Sequence, residues 1–223
     1  MDRTSYSNRA KGWEFAEENP LNQEPDQISA SRRQALEEGF GQCSVAEGAF
    51  LEYLAAGAGA ESIISVGTGS VVQALRLIAG LHGHGQFTAV DSSQRGASLI
   101  KKAFQSVDDS TGLRLRAVNT QAGTYFTRLN PADYDMIVIA GESKNYRDAY
   151  DHAGRLLRPK GQLVFTDAFC LCGDEKAGGL MDPADRSEKS VTLRTLLDSL
   201  ADDAQTQACL LPVGSGMALV TRI

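Results

Sequence analysis

A short apolar segment that runs into a glycine turn constrains this chain more than any other feature. Residues 63–66 are apolar except for Ser65 and lead into the turn 67–69, which reads Gly-Thr-Gly. A helix-like stretch follows, and a second apolar segment at 87–90 ends in Asp91. Glycines at such a turn let backbone N–H groups approach a ligand at a helix N-terminus, and the acid can accept hydrogen bonds from ribose hydroxyls. The pattern predicts a βαβ nucleotide-binding unit.

Composition limits the class of protein. The chain has 223 residues, 42% of them hydrophobic, and a net charge of −6. This length suits one sizeable domain with a buried core, and the negative charge disfavours a broad nucleic-acid surface. No apolar run approaches the roughly 20 residues that a membrane-spanning helix needs. No signal peptide is visible behind Met1, so we expect a cytoplasmic protein that binds neither nucleic acid nor membranes.

The cysteines and histidines predict neither a disulfide framework nor a zinc site. The four cysteines have no framework spacing, and the three histidines are scattered: Cys43, Cys170, Cys172 and Cys209, with His82, His84 and His152. The pair at 170 and 172 is C-x-C and lacks the C-x-x-C spacing typical of zinc ligands. We therefore expect reduced thiols and no bound zinc.

Apolar and helical segments alternate along most of the chain. Strands are predicted at 61–66, 86–91, 113–118, 134–139 and 161–166, and helices at 70–80, 94–106, 122–129, 144–157 and 187–201. This order predicts an α/β fold: a Rossmann-like, seven-stranded, mostly parallel sheet with helices on both faces. The last two strands form a C-terminal antiparallel hairpin around the glycines 214 and 216.

The N-terminal part carries weaker signals. Residues 1–28 are polar, and Asn19-Pro20 and Glu24-Pro25 are expected to break any helix there, so we predict a loosely held arm. A helix capped by Ser29 or Ser31 is predicted through Phe40, and another over residues 45–56. With no internal repeat or linker after the arm, residues 29–223 are predicted to form a single domain.

The glycine turn does not match a dinucleotide site. A nicotinamide-dinucleotide fingerprint places Gly or Ala at the third position, so that helix and strand pack closely. The residue there is Val72, which is β-branched. This disfavours an NAD(P)-dependent reductase, and the terminal hairpin fits class I S-adenosylmethionine (SAM) methyltransferases better.

Taken together, these features resemble a known family, the small O-methyltransferases related to the catechol and caffeoyl-CoA enzymes, and most of all their actinobacterial branch. The resemblance runs from about Gly41 to Ile223 and rests on these segments: residues 44–51, 66–69, 89–91, 134–139, 145–146, 156–161 and 211–216. It implies a SAM-dependent O-methyltransferase (EC 2.1.1.-) that transfers a methyl group to a hydroxyl of a small-molecule acceptor, and a homodimer.

The resemblance also implies which residues contact SAM: Gly67, Thr68, Gly69, Gln73, Asp91, Ser92 and Ala122. The glycine turn would face the methionine part, Asp91 the ribose hydroxyls, and Ala122 the adenine edge. Gln73 would lie near the amino acid carboxylate. Alternatively, Gln73 is a polar group on a helix surface and Ala122 is a helix start. Ser65 stands where the family usually has a Glu near the SAM amino group.

The metal site of the related enzymes is not kept in the sequence. Their divalent cation is held by two Asp and one Asn, and hard cations demand such oxygen ligands. At the matching positions this chain has Ala140, Thr166 and Asp167. Alanine has no ligand atom, and the offset of Glu142 would aim its carboxylate elsewhere. We therefore expect no divalent metal.

Two residues are candidates for catalysis. Asp167 follows a predicted central strand, where ligands bind in open α/β sheets, and its carboxylate can take a proton from an acceptor hydroxyl. Equally, it can simply cap the next segment. Lys144 is adjacent to the family's candidate lysine base, which aligns with Ser143, but it is also explained as a solvated lysine at a helix start. The long segment 168–186 is either a lid over an apolar acceptor or packing on the sheet edge.

The sequence thus predicts a SAM-dependent O-methyltransferase that acts without the usual metal. The alternative is a SAM-binding protein that has lost catalysis and serves as a binding or interaction module. The losses at Ala140, Ser143 and Thr166 motivate that alternative.

Overall fold

A computed structural model describes residues 3–107, 112–171 and 178–222. Its centre is a seven-stranded sheet with the order β3-β2-β1-β4-β5-β7-β6. The first five strands pair in parallel, and β7 pairs antiparallel with both β5 and β6. The strands are β1 (Ser62–Val66), β2 (His84–Asp91), β3 (Gly112–Asn119), β4 (Tyr134–Ile139), β5 (Leu157–Phe165), β6 (Thr206–Leu211) and β7 (Met217–Arg222). The predicted fold class is confirmed.

Helices cover both faces of the sheet. They are α1 (Arg3–Glu18), α2 (Asp26–Glu37), α3 (Val45–Gly57), α4 (Val71–Gly80), α5 (Gln94–Phe104), α6 (Ala122–Phe126), α7 (Ser143–Leu156) and α8 (Glu188–Asp202), with 3₁₀ turns at Pro20–Asn22 and Gly179–Met181. Helices α2 to α5 pack on one face and α6 to α8 on the other. No helix in the described ranges is long and apolar enough to cross a bilayer.

The central strands are buried on both faces, which explains their nearly continuous apolar sequence. In β1, Ile64 and Val66 join the core under α7 and α8, whereas Ile63 joins the core under α3 and α4. Successive side chains of a strand point to opposite faces, so Ser65 lies on the α4 side with Ile63. A polar residue at this position is therefore buried and needs a partner.

The N-terminal segment differs from the expectation of an arm without helices. Residues 3–18 form α1, and the helix ends just before Asn19-Pro20, so this step bounds a helix rather than excluding one. Helix α2 begins at Asp26, directly after Pro25, and not at Ser29 or Ser31. Proline is well tolerated at a helix start because it has no N–H, and an N–H at this position would lack a partner within the helix. The division into an arm and a domain stays a prediction.

Side chains hold this segment against the rest of the protein. The carboxylate of Glu17 accepts hydrogen bonds from Ser44 Oγ at 2.6 Å and from the N–H of Ala46 at 2.9 Å, at the first turn of α3. An acid at a helix N-terminus is stabilised by the helix dipole. From α4, the buried guanidinium of Arg76 pairs with Glu52 at 2.7 Å and donates to the carbonyls of residues 22 and 23.

Replacement of Arg76 by methionine is expected to lower the free energy of unfolding by about 2 kcal/mol, because charge-assisted bonds to Glu52 and two carbonyls are lost while the hydrophobic stem is kept. Urea unfolding measures the change. Arg33→Met, on the exposed side of α2, is the matched control and should change stability by less than about 0.5 kcal/mol. Equal effects of the two substitutions would contradict the role of Arg76.

Candidate active site

The candidate site lies where the parallel strands end. The N–H of Gly67 donates to Val90 O at 3.2 Å, and the N–H of Ala140 donates to Val66 O at 2.8 Å. The N–H of Thr166 donates to Ile139 O at 2.9 Å. These bonds continue the sheet by one residue and align the first residues after three neighbouring strands, β1, β4 and β5. In open α/β sheets this carboxyl edge is where ligands bind.

Asp91 ties the glycine turn to the second strand. Its carboxylate accepts hydrogen bonds from the N–H of Gly69 and from the N–H of Ser93, each at 2.7 Å. Gly69 has φ +60°, a conformation that glycine adopts without strain. Burial raises the pKa of Asp91, and the two N–H donors oppose that shift. The sequence prediction that Gly69 and Asp91 belong to one unit is consistent with this contact.

A glycine on α5 makes this close approach possible. A Cβ atom at Gly96 would lie 2.2 Å from Asp91 Oδ2 and 2.7 Å from the nitrogen of Gly69. No side chain fits there, so the first turn of α5 reaches the carboxylate only because residue 96 is glycine. Beside it, Ser93 caps α5 by accepting from the N–H of Gly96 at 3.2 Å, and Ser92 is half-buried.

The segment before α3 covers the glycine turn. The Phe40 ring lies so close to Gly69 that a Cβ there would be 2.4 Å from Phe40 Cγ. Gln42 uses both ends of its amide: Oε1 accepts from the N–H of Val72 at 3.0 Å, and Nε2 donates to Gly69 O at 2.8 Å. The first turn of α4 thereby gains an acceptor for one of its free N–H groups.

A neutral hydrogen-bonded group lies beneath the turn. Gln73 is buried and donates from Nε2 to Ser65 Oγ at 2.7 Å. Its Oε1 lies 3.5 Å from Thr166 Oγ1, which also donates to Ile139 O at 3.0 Å. Gln73 therefore does not lie on a helix surface: it is buried between α4 and the strand ends. None of the three side chains is charged.

Asp167 forms an ion pair with a residue that sequence reasoning did not single out. Lys189 Nζ donates to Asp167 Oδ2 at 2.6 Å and lies 5.0 Å from the centre of the Tyr146 ring. Asp167 Oδ1 accepts from the N–H of Leu171 at 2.9 Å, so Asp167 also caps the segment that follows it. Its side chain is 7% exposed and its φ is +48°. The bond to Leu171 supports the capping explanation for Asp167, and its catalytic role stays a prediction.

Glu47 is a second buried carboxyl group near Asp167. It is 3% exposed and lies in the first turn of α3, where Ser44 Oγ accepts from its N–H at 3.1 Å. A Cβ at Gly214 would lie 2.2 Å from Glu47 Oε2, so the carboxyl group packs directly against the turn between β6 and β7. Burial, and then the charge of Asp167, raise the pKa of Glu47 to about 7.

Lys144 and Ala122 lie in the first turns of two helices, α7 and α6. Ala122 is buried as the first residue of α6. Asp148 Oδ2 accepts from the N–H of Gly123 at 3.0 Å and from Lys144 Nζ at 2.6 Å. The Lys144 side chain is 59% exposed. These contacts favour the solvated, helix-start explanation for Lys144, and the ammonium that contacts Asp167 belongs to Lys189.

The donor atoms at the strand ends do not suit a divalent cation. Ala140 offers no ligand atom, and the hydroxyl hydrogen of Thr166 is directed to Ile139 O. The carboxylate of Asp167 already faces an ammonium group. Within the described ranges, no three His, Cys, Asp or Glu side chains are grouped to hold a metal. Cys172, one half of the C-x-C pair, and residues 173–177 of the long loop lie outside the described residues.

The comparisons with known proteins agree with this architecture. A sequence model of the O-methyltransferase family matches residues 23–223. An inferred O-methyltransferase from Mycobacteroides abscessus is 30% identical over 199 residues, which cover 89% of each chain.

The chain belongs to the O-methyltransferase family.

Two solved structures share the fold. An O-methyltransferase from Bacillus cereus, in complex with S-adenosylhomocysteine (SAH), superposes with a TM-score of 0.78 at 15% identity and covers 96% of this chain and 99% of its own. TomG from Streptomyces achromogenes, an O-methyltransferase of tomaymycin synthesis in complex with SAM, has a TM-score of 0.73 at 17% identity, with 100% and 99% covered. The O-methyltransferase fold predicted from the sequence motifs is thus confirmed.

Three features of this O-methyltransferase site escaped sequence reasoning. Ser44 and Glu47 match the common helix-capping pattern S-x-x-E, so the sequence gives no sign that Glu47 has any other role. Lys189 is far from Asp167 in sequence, although a lysine in the first turn of a helix is unusual enough to be noticed. Phe40 and Gln42 precede a predicted helix and carry no motif.

Replacement of Glu47 by glutamine is expected to stabilise the protein above pH 7. Because the folded-state pKa is raised, stability from this carboxyl is complete below its ordinary value of 4.5 and is lost as the pH rises to about 7. Glutamine does not ionise, so the variant should exceed the wild type by about 1–3 kcal/mol at pH 8 and by much less at pH 4.5.

Urea unfolding at the two pH values measures this difference, and Glu37→Gln, an exposed carboxyl on α2, is the control. A variant that is destabilised equally at both pH values would show that Glu47 is ionised at little cost.

Proposed function

We propose that this chain is a SAM-dependent O-methyltransferase that methylates a hydroxyl of a small molecule. The observation that carries the proposal is the bond between the Asp91 carboxylate and the N–H of Gly69, in a chain of the O-methyltransferase family. This contact holds the glycine turn and the acid in one place at the carboxyl edge of the sheet. Such a pair suits the ribose and amino acid parts of a nucleoside ligand.

We propose the cofactor contacts that the family resemblance implies. The glycine turn, with Thr68, would line the methionine part, and Asp91 with Ser92 would meet the ribose hydroxyls. Ala122, at the start of α6, would lie against the adenine edge. Gln73 would act indirectly, since its amide is bonded to Ser65 and Thr166. The SAH and SAM complexes of the Bacillus and Streptomyces proteins support the choice of ligand.

When bound, SAM supplies a methyl group on a positively charged sulfur, and the acceptor oxygen must approach this carbon in line. The protein's part is to orient the acceptor and to take its proton, and correct positioning alone removes much of the barrier. Asp167 lies two residues after β5, next to Thr166, which faces Gln73 of α4, and its ion pair with Lys189 can hold an acceptor hydroxyl by hydrogen bonds. The half-buried Phe169 packs against Gly216 and is an apolar surface for the acceptor.

We also propose that transfer proceeds without a divalent metal. A cation would find no ligand at Ala140 and would meet the ammonium group of Lys189 beside Asp167. Lys189 supplies the positive charge that a developing phenolate or alkoxide needs. The ammonium group of a side chain therefore takes the place of a bound metal ion near the acceptor.

Calorimetry tests the cofactor. The wild type should bind SAM and SAH with saturation, and Asp91→Asn should weaken both by about 10- to 100-fold, because a hydrogen bond to a charged group is worth about 1.5–3 kcal/mol. Asp198→Asn, an exposed carboxyl on α8, is the control and should bind as the wild type does. A folded protein that binds neither SAM nor SAH would disprove the proposed function.

Transfer of a labelled methyl group from SAM to a panel of catechols and phenols tests the reaction. We expect the transfer rates in 5 mM EDTA and in excess Mg²⁺ to agree within about a factor of two, because no metal site is formed. Dependence on Mg²⁺ would contradict the metal-free proposal. SAM binding with no transfer to any acceptor would favour the alternative, a binding module without catalysis.

A further inference from the structure

We propose that Glu47 is the general base of this O-methyltransferase, and that the Asp167–Lys189 ion pair holds the acceptor hydroxyl beside it. The inference rests on the proposed function and adds to it the group that takes the proton. It depends on the position of three side chains that come from α3, from the end of β5 and from α8.

The turn between β6 and β7 links Glu47 to the segment that carries Asp167, and Asp167 in turn is bonded to Lys189. Glu47 packs against Gly214, where a Cβ would lie 2.2 Å from its Oε2. The N–H groups of Ala168 and Phe169, which follow Asp167, donate to the carbonyls of Gly216 and Ser215 at 2.8 and 3.1 Å. The turn between β6 and β7 therefore fixes the carboxyl of Glu47 on one side and the segment after Asp167 on the other.

Each of the two carboxyl groups has a different partner. The oxygens of Asp167 accept from Lys189 Nζ and from the N–H of Leu171. Glu47 accepts hydrogen bonds from backbone N–H groups, and none of the described lysines or arginines forms an ion pair with it. Asp167 is thus neutralised in place and suited to positioning, whereas Glu47 is the carboxyl whose basicity is not masked by a cation.

Helix capping does not explain Glu47. A glutamine at this position caps equally well, and it would bury no charge. Burying a carboxyl group beside a second one is costly unless the group stays protonated. The raised pKa of Glu47 puts proton uptake near neutral pH, which suits a general base. A strongly perturbed group among functional residues is itself a sign of function.

Lys189 also occupies a costly position. It is the second residue of α8, and a cation in the first turn of a helix is disfavoured by the helix dipole. Its ammonium instead lies between Asp167 and the Tyr146 ring. This cation can stabilise the negative charge that develops on the acceptor oxygen while Glu47 removes the proton.

The proposed step balances. The acceptor O–H proton moves to the Glu47 carboxylate, and an oxygen lone pair forms the new bond to the methyl carbon. The bond between that carbon and the sulfonium sulfur breaks, and its electron pair stays on sulfur, which leaves neutral SAH and the methyl ether. Glu47 then releases the proton to water. No oxidant, reductant or metal is required.

The charges around Glu47 set its response to pH. The charged or titratable groups and amides that face it are the carboxylates of Asp167 and Glu17, the thiol of Cys43, and the N–H groups of Ser44 and Ser215. The carboxylates make ionisation harder and the amides make it easier. Behind Asp167, Lys189 offsets one negative charge, so its removal should raise the pH at which Glu47 becomes a base.

The test compares Glu47→Gln with Glu37→Gln, the same chemical change at an exposed site. SAM affinity is measured by calorimetry, and kcat/KM for catechol and 3,4-dihydroxybenzoate is measured from pH 5.5 to 9. We expect the wild type and Glu37→Gln to gain activity with a midpoint near pH 7. Glu47→Gln should lose activity by about 100-fold or more and lose this pH dependence, with SAM affinity unchanged within about twofold.

Two further measurements keep the inference separate from fold and function. With ¹³C-labelled glutamate, the carboxyl signal absent from Glu47→Gln should titrate near pH 7 in the wild type and higher in Lys189→Met. A titration midpoint below about 5 for Glu47 in the wild type overturns the inference. The inference is also overturned if the wild type is active and the Glu47→Gln variant keeps its rate and pH profile. A wild type that binds SAM but methylates no acceptor of the whole panel of catechols and phenols overturns the proposed function, and Glu47 as a base with it.

Discussion

The contact on which the carboxyl edge depends is the one between the Asp91 carboxylate and the glycine turn. A buried carboxylate is tolerated only when donors compensate it, and the N–H groups of Gly69 and Ser93 do so. The same contact fixes Gly69 in a left-handed conformation and draws the first turn of α5 so near that only glycine fits at residue 96. One acid thus sets the turn after β1, the cap of α5 and the distance between α5 and the sheet.

Charge is arranged unevenly along this edge. The middle, between β1 and β5, holds the uncharged side chains Ser65, Gln73 and Thr166, and Gln73 donates to Ser65. The charged groups lie to the outside, where Asp167 faces Lys189. A divalent cation needs several oxygen ligands free of competing cations, and this arrangement offers the opposite. The ammonium group of Lys189 beside Asp167 therefore agrees with the proposal that transfer proceeds without a divalent metal.

The sequence predicted the parts of the fold whose signals are local. The strand over 134–139 was predicted to the residue, because buried parallel strands read as apolar runs between turns. Helix α1 was missed because it is a polar helix with little apolar periodicity, held by Glu17 rather than by a broad apolar face. Glu47 and Lys189 could not be assigned from sequence, since their meaning comes from contacts with residues 167 and 214.

Several residues around Asp167 have unfavourable backbone conformations or unfavourably placed charges. Asp167 and Cys170 both have positive φ, at +48° and +56°, which non-glycine residues rarely adopt. Lys189 opposes its own helix dipole, and Glu47 is a carboxyl buried beside another carboxyl. Each of these features lowers the stability of the fold, and natural proteins retain such destabilising features mainly where function requires them. A protein that needed only to bind SAM would gain from a neutral residue at 47 and a relaxed backbone at 167. The cost is concentrated instead around Asp167, where the proposed transfer would take place, and this favours the proposed catalysis over a binding module.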